Sequence, residues 1–168
     1  IAQTDSDEIS VENLKKAVDL AIELDVDIIN MSCGTRKADE ELQASIKSAC
    51  DSGIIVVAAA GNQMNNEILY PAAYNDVIAV GSISKNDEIL SPKGNFDKDI
   101  VYLPGECIVT TSATNEYDSI SGTSASTAIM SGIVALIIEK SPDIKSSQIV
   151  NLIVNQDEVN IYKLLENI

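Results

Sequence analysis

Ile54-Ile55-Val56-Val57-Ala58-Ala59-Ala60-Gly61-Asn62 decides the fold class of this 168-residue chain. Six consecutive apolar residues, Ile54 to Ala59, are too few for a core helix and show no polar alternation. A strand covered by helices on both faces has this pattern. Gly61 and Asn62 end it, and a polar loop follows through Met64, Asn65 and Asn66. Upstream, Val11, Leu14, Val18, Ala21 and Ile22 fall at helical spacing over 11–24, with Ser10 as a cap. Asp27 to Ser32 makes a short buried strand ending at Gly34. Leu42, Ile46, Ala49 and Cys50 give a second amphipathic helix over 40–52, closed by Gly53. Val77-Ile78-Ala79-Val80 is a third buried strand.

The region with Pro92, Gly94, Pro104 and Gly105 is looser, with short strands expected around 100–103 and 108–111. A long apolar helix is expected from Ser124 to Lys140, broken by Pro142, then a helix over 146–154 and a last short one over 161–167. Repeated βα units imply a three-layer α/β fold, a mostly parallel sheet flanked by helices with right-handed crossovers. In such sheets functional groups gather at the carboxyl ends of the strands. Those ends carry Ser32, Cys33 and Gly34, and Ala60, Gly61 and Asn62.

Composition narrows the function. Twenty-six acidic against eleven basic residues give a formal charge of −15. This argues against nucleic acid and anionic membranes, which need clustered Lys and Arg. No segment reads as a signal sequence or membrane span. Neither Asp25-Val26-Asp27 nor Asp5-Ser6-Asp7 continues into a calcium loop, so no metal is assigned from them. Cys33, Cys50 and Cys107 are odd in number and far apart, with no C-x-x-C, and are not a disulfide framework. There is no histidine, so no histidine base or metal ligand can come from these residues.

Ser121-Gly122-Thr123-Ser124-Ala125-Ser126 runs into the apolar stretch 129–138, delivering Ser124 to the first turn of a helix. Unpaired N–H groups and the positive end of the helix dipole lie there. A hydroxyl at that place either caps the helix or acts as a nucleophile whose oxyanion those N–H groups stabilise. Asn62 is likewise either a turn residue or an amide donor for the same oxyanion. A hydrolase elbow needs G-x-S-x-G, but Ser126 stands at its last glycine, and no G-x-G-x-x-G follows a strand.

Four stretches together resemble the subtilisin-like serine proteases: Ile29-Asn30-Met31-Ser32-Cys33-Gly34; Val56 to Asn62; Tyr70-Pro71-Ala72-Ala73 with Val77 to Gly81; and Ser121-Gly122-Thr123-Ser124. They occur in the family's order over nearly the whole chain, with Pro104-Gly105 as a further match. The resemblance implies a serine endopeptidase with Ser124 as nucleophile, and Asn62 with the Ser124 N–H as oxyanion donors. It implies that Ser32-Cys33-Gly34 pairs with the substrate backbone, and that Ala59-Ala60-Gly61 forms one wall of the specificity pocket. Small residues there are expected to leave room for a sizeable side chain. The substrate is then a peptide or protein. No cofactor is implied, and although calcium is common in the family, no ligand set is assigned.

The family's Asp and His motifs lie N-terminal to the matched region. Asp5-Ser6-Asp7 aligns with a later loop and lacks the expected glycine, so it is not the triad aspartate. The expectation is one C-terminal portion of a catalytic domain over 1–168, beginning at Ile1 and completed by an upstream segment, inactive alone. The alternative is a pseudoprotease that binds peptides without cutting them. After the serine the family has Met-Ala-[Ser/Thr]-Pro-His-Val-Ala-Gly. Here Ala125-Ser126-Thr127-Ala128-Ile129-Met130-Ser131-Gly132 marks a divergent branch, and Cys33 stands where an aliphatic residue is common. Without the upstream strands, the 28–32 strand is a sheet edge expected to pair with a second copy. Absent disulfides and an acidic surface fit the cytoplasm, whereas the family is often secreted, so no compartment is assigned.

Overall fold

The structure, a computed structural model, describes residues 10–62, 67–93, 96–113, 116–154 and 166. The expected loop at 64–66, the last short helix at 161–167 and Asp5-Ser6-Asp7 lie wholly or almost wholly outside them. The described elements are α1 (Val11–Glu23), β1 (Ile28–Met31), α2 (Glu40–Asp51), β2 (Ile55–Ala59), β3 (Ile78–Ile83), β4 (Ile100–Pro104), β5 (Ile108–Thr111), β6 (Tyr117–Ile120), α3 (Thr123–Lys140) and α4 (Ser146–Val154).

Strands β1 to β4 form one parallel sheet in the order β1-β2-β3-β4. Every residue of β2 is buried, and the side-chain alternation of a strand explains how. Val56 and Ala58 face the layer of α1 and α2, packing with Leu14, Val18, Leu42 and Ile46. Ile55 and Val57 face the opposite layer, with Met130, Val134 and Ile137 of α3 and Ile149 and Ile153 of α4. An unbroken apolar run is what a strand between two helical layers needs. The three-layer α/β expectation holds.

The helix starts follow from local chemistry. Ser10 Oγ accepts from Asn13 N at 3.1 Å, and Asp39 Oδ1 accepts from Leu42 N at 2.9 Å. Each cap satisfies an orphan N–H and contributes about 1 kcal/mol. Helix α3 differs, since its N-cap is Gly122 and no side chain caps it. At 18 residues and a mean hydropathy of 1.2, α3 is long and apolar enough to cross a membrane, contrary to the sequence expectation. Here it lies against all four strands of the parallel sheet as the central helix of one layer, with Met130, Val134 and Ile137 fully buried.

The β5–β6 hairpin is antiparallel and separate from the main sheet. The sequence reading missed β6, whose four residues are all exposed and carry no apolar alternation to betray a strand.

Two outcomes test this packing. Ile137→Ala removes a side chain with no solvent exposure, and an unfolding free energy lower by about 2–5 kcal/mol is expected from urea titration. The cysteines should separate by accessibility. Cys107 is exposed, whereas Cys33 and Cys50 are half-buried. Burial holds the Cys33 thiol above its usual range. Burial, with Asp76 and Asp51 nearby, pushes that of Cys50 up to about 11. Because the thiolate is the reactive form, iodoacetamide at pH 8 should modify Cys107 first in the native protein, as read by mass spectrometry. Equal rates at all three would contradict the packing.

Candidate active site

Parallel pairing fixes where the strand ends meet. With Met31 opposite Ala58, the residues after β1 (Ser32, Cys33, Gly34) and after β2 (Ala60, Gly61, Asn62) leave the same edge of the sheet. The start of α3 is held against both. Ser124 Oγ donates to Ser32 O at 3.0 Å, and Ser32 Oγ donates to Ser124 O at 3.1 Å. Asn62 Oδ1 accepts from both Thr123 N (2.7 Å) and Thr123 Oγ1 (3.0 Å). Ser124 and the side chain of Asn62, distant in sequence, therefore meet at the first turn of α3.

The two bonds from Thr123 also settle which way the Asn62 amide faces. A backbone N–H can only donate, so the atom it meets must be the amide oxygen. The Nδ2 group, with its two donors, is left on the other side of an exposed residue. The Ser124 N–H belongs to the uncapped first turn of α3. Two N–H donors of different origin thus stand beside one hydroxyl. That arrangement can stabilise negative charge developing on an oxygen bonded to a carbon that Ser124 attacks.

Gly122 makes this approach feasible. Its φ of 126° is open mainly to glycine. A Cβ there would lie 2.9 Å from Asn62 Oδ1 and 3.0 Å from Nδ2. The Gly122 N–H donates to Gly105 O at 2.8 Å. Beneath it, the buried Ser126 donates to Leu103 O and Pro104 O at 3.1 and 3.0 Å. The end of β4 is thereby fastened to the turn that presents Ser124. A polar chain runs along the outer side of β1: Ser131 Oγ donates to Asn30 Oδ1 (2.9 Å) and Asn30 Nδ2 to Ser32 Oγ (3.0 Å).

Among the described residues the Ser124 hydroxyl proton meets a backbone carbonyl, Ser32 O, which hydrogen-bonds but is far too weak a base to remove it. Among the described residues no cluster of three or more metal-ligating side chains occurs.

Of the expected substrate-contacting residues, Ser32 exchanges hydrogen bonds with Ser124, and Cys33 and Gly34 follow it beyond the carboxyl end of β1. Ala59 and Ala60 are buried in the sheet, Ala60 donating to Val80 O at 2.9 Å. The expected room beside Gly61 is not there. A Cβ on Gly61 would meet Leu69 Cγ at 2.9 Å, because the Leu69 side chain occupies the space. Sequence reading also gave no role to Thr123, Gly122, Asn30 or Ser131. Gly122 and Thr123 stand in the quoted Ser121-Gly122-Thr123-Ser124 motif, where glycine before a helix start was the available signal. Leu69 carried none, being one apolar residue in a loop.

A sequence model of the subtilase family matches residues 1–164. The chain is 43% identical over 126 residues to the major intracellular serine protease of Bacillus subtilis (strain 168), covering 71% of this chain and 39% of that protein. It is 37% identical over 138 residues to subtilisin DY of Bacillus licheniformis, covering 80% and 50%. The chain thus spans half or less of the length of these relatives. Among solved structures, the prenylagaramide maturation protease PagA superposes with a TM-score of 0.86 over 98% of this chain and 70% of that one, at 23% identity, a likeness of fold. The PatG macrocyclase in complex with peptide superposes at 0.77 over 88% and 48%, at 29% identity. With the parallel sheet, the motif order and the family match over almost its whole length in agreement, this chain is a member of the subtilase family.

Proposed function

We propose that this chain carries the nucleophile and oxyanion site of a serine endopeptidase. Ser124 attacks the peptide carbonyl, and Asn62 Nδ2 with the Ser124 N–H receives the oxyanion. The peptide lies along Ser32-Cys33-Gly34 as an added strand, beside Ala59-Ala60-Gly61. The observation that carries the reading is the pair of hydrogen bonds that Thr123 donates to Asn62 Oδ1, which turns the amide donors outward beside a helix-start serine.

A serine hydroxyl requires an adjacent base, held in turn by a third group. With no histidine in the sequence, we propose that an upstream segment of the same protease supplies both base and acid. The free side of β1 suits such a segment. Among the described residues β1 has a strand neighbour on one side only. Beside it an open groove of about 630 Å³ runs between Leu14, Val18 and Ala21 of α1 and Ile29 and Met31 of β1. Added strands there would bring their ends to Ser124. Left uncovered, the same edge would favour pairing of two copies.

Three measurements test this. In the full-length protein a fluorophosphonate should label Ser124, and Ser124→Ala should abolish both labelling and peptide hydrolysis, whereas the 168-residue chain alone should not be labelled. If the full-length protein neither hydrolyses peptides nor takes the label, the peptide-binding reading replaces the protease. Asn62→Leu should lower kcat with little change in KM, by the roughly 10²–10³ that belongs to subtilisin itself and is carried over from it. Gly122→Ala should reduce stability by about 1–3 kcal/mol through strain at positive φ. It should also lower kcat, because the new methyl displaces the Asn62 amide. Unchanged turnover in that variant would remove Asn62 from the chemistry.

A further inference from the structure

The gap between the carboxyl ends of β1 and β2 is already filled. A Cβ added at Gly34 would lie 2.9 Å from Leu69 Cβ and 3.3 Å from its Cδ1. One added at Gly61, on the opposite wall, would lie 2.9 Å from Leu69 Cγ and 3.0 Å from Cδ1. The branched end of one leucine therefore spans the space between two glycines that lack side chains of their own. Its backbone is pinned there from both sides. Leu69 N donates to Ala60 O at 3.0 Å, while Thr35 and Tyr70 exchange hydrogen bonds of 2.7 and 2.8 Å. The backbone of the leucine cannot move aside without breaking the bridge that joins the two strand ends.

We infer that Leu69 sets the substrate size limit of this site. It occupies the pocket between 33–35 and 60–62, so that the residue contributing the attacked carbonyl must be small: glycine, alanine or serine. The inference rests on the protease reading for the line of the peptide along Ser32-Cys33-Gly34. With the carbonyl at Ser124 and its oxygen toward Asn62, the side chain of that residue points between the two strand ends. A methyl or hydroxymethyl group rests on the leucine. A phenyl or isobutyl group meets its branched carbons. The glycines on both walls permit the leucine rather than a large substrate side chain.

Two readouts on the full-length protein separate this inference from the protease reading. The first is kcat/KM for peptide p-nitroanilides differing only in a last residue of Ala, Leu or Phe. The second is calorimetric binding, to the Ser124→Ala protein, of product peptides ending in Ala or Phe. Wild type should favour Ala over Phe by about 10–200-fold, the range set by a poorly fitting apolar group in a pocket. Leu69→Gly should raise the Phe-to-Ala ratio of kcat/KM at least about tenfold. Leu69→Ala should give a smaller gain, largest for Leu, and guards against loosening of the backbone by glycine. Equal hydrolysis of Ala and Phe substrates by wild type, or an unchanged ratio in both variants, overturns the inference while the protease reading stands. If nothing is hydrolysed the protease reading falls, and binding decides. Preference for the Ala-ended peptide that Leu69→Gly removes upholds the size limit, and equal or absent binding overturns it.

Discussion

The contact between Asn62 and Thr123 is the interaction on which the rest of the site depends. It joins the end of β2 to the first residue of α3 through two donors on one oxygen, and it does three things at once. It replaces the missing side-chain cap of α3. It fixes the distance between the central strand and the helix that packs across it. It also forces the amide hydrogens outward, since the oxygen is taken. A helix start lacking a cap is usually a liability. Here the absence leaves the Ser124 N–H beside an asparagine amide, and a conventional Ser or Asp cap would occupy it. The site exploits orphan donors that most helices hide.

What the sequence made legible is what hydrophobic patterning encodes. Val56 and Ala58 against Ile55 and Val57 announce a strand with two apolar faces, and the helical spacing of Leu14 and Val18 or Leu42 and Ile46 announces the layer covering one of them. From alternating units the parallel order follows, and with it the edge where Ser32 and Asn62 emerge. Exposed β6 carries no such pattern, because a hairpin held by its own ladder needs none. The membrane-length apolarity of α3 was equally ambiguous from composition. It resolves only once the sheet exists to receive Met130 and Ile137.

The site was legible in part, for a related reason. Motif order brought forward Ser124 and Asn62 but not the residues that orient them. The role of Thr123 depends on a hydrogen bond across sixty positions of chain. That of Leu69 depends on two glycines, one of them, Gly34, on a strand end that only the folded sheet brings to it. The small residues at 59–61 suggested an open pocket because local composition speaks only of the wall it belongs to. What fills a gap is decided by whichever segment crosses it, and no periodicity reports that.

On the proposed reading, the oxyanion donors are positioned by contacts within this chain. Gly122 donates to Gly105 O, Ser126 to Leu103 O and Pro104 O, and Thr123 to Asn62 Oδ1. None of these contacts uses a titratable group. In the proposed chemistry the electrostatic half is therefore preorganised apart from the acid–base half, and its geometry should be insensitive to pH. Ser124 itself is the exception. Its proton rests on Ser32 O, so the base of the proposed mechanism takes over a hydrogen bond that already exists rather than ordering a mobile hydroxyl. The exchange of one acceptor for a stronger one is cheap, because the hydroxyl needs only to rotate about its own bond. Donor placement and proton removal thus meet at a single rotatable group, at the one point where the two halves of the chemistry must touch.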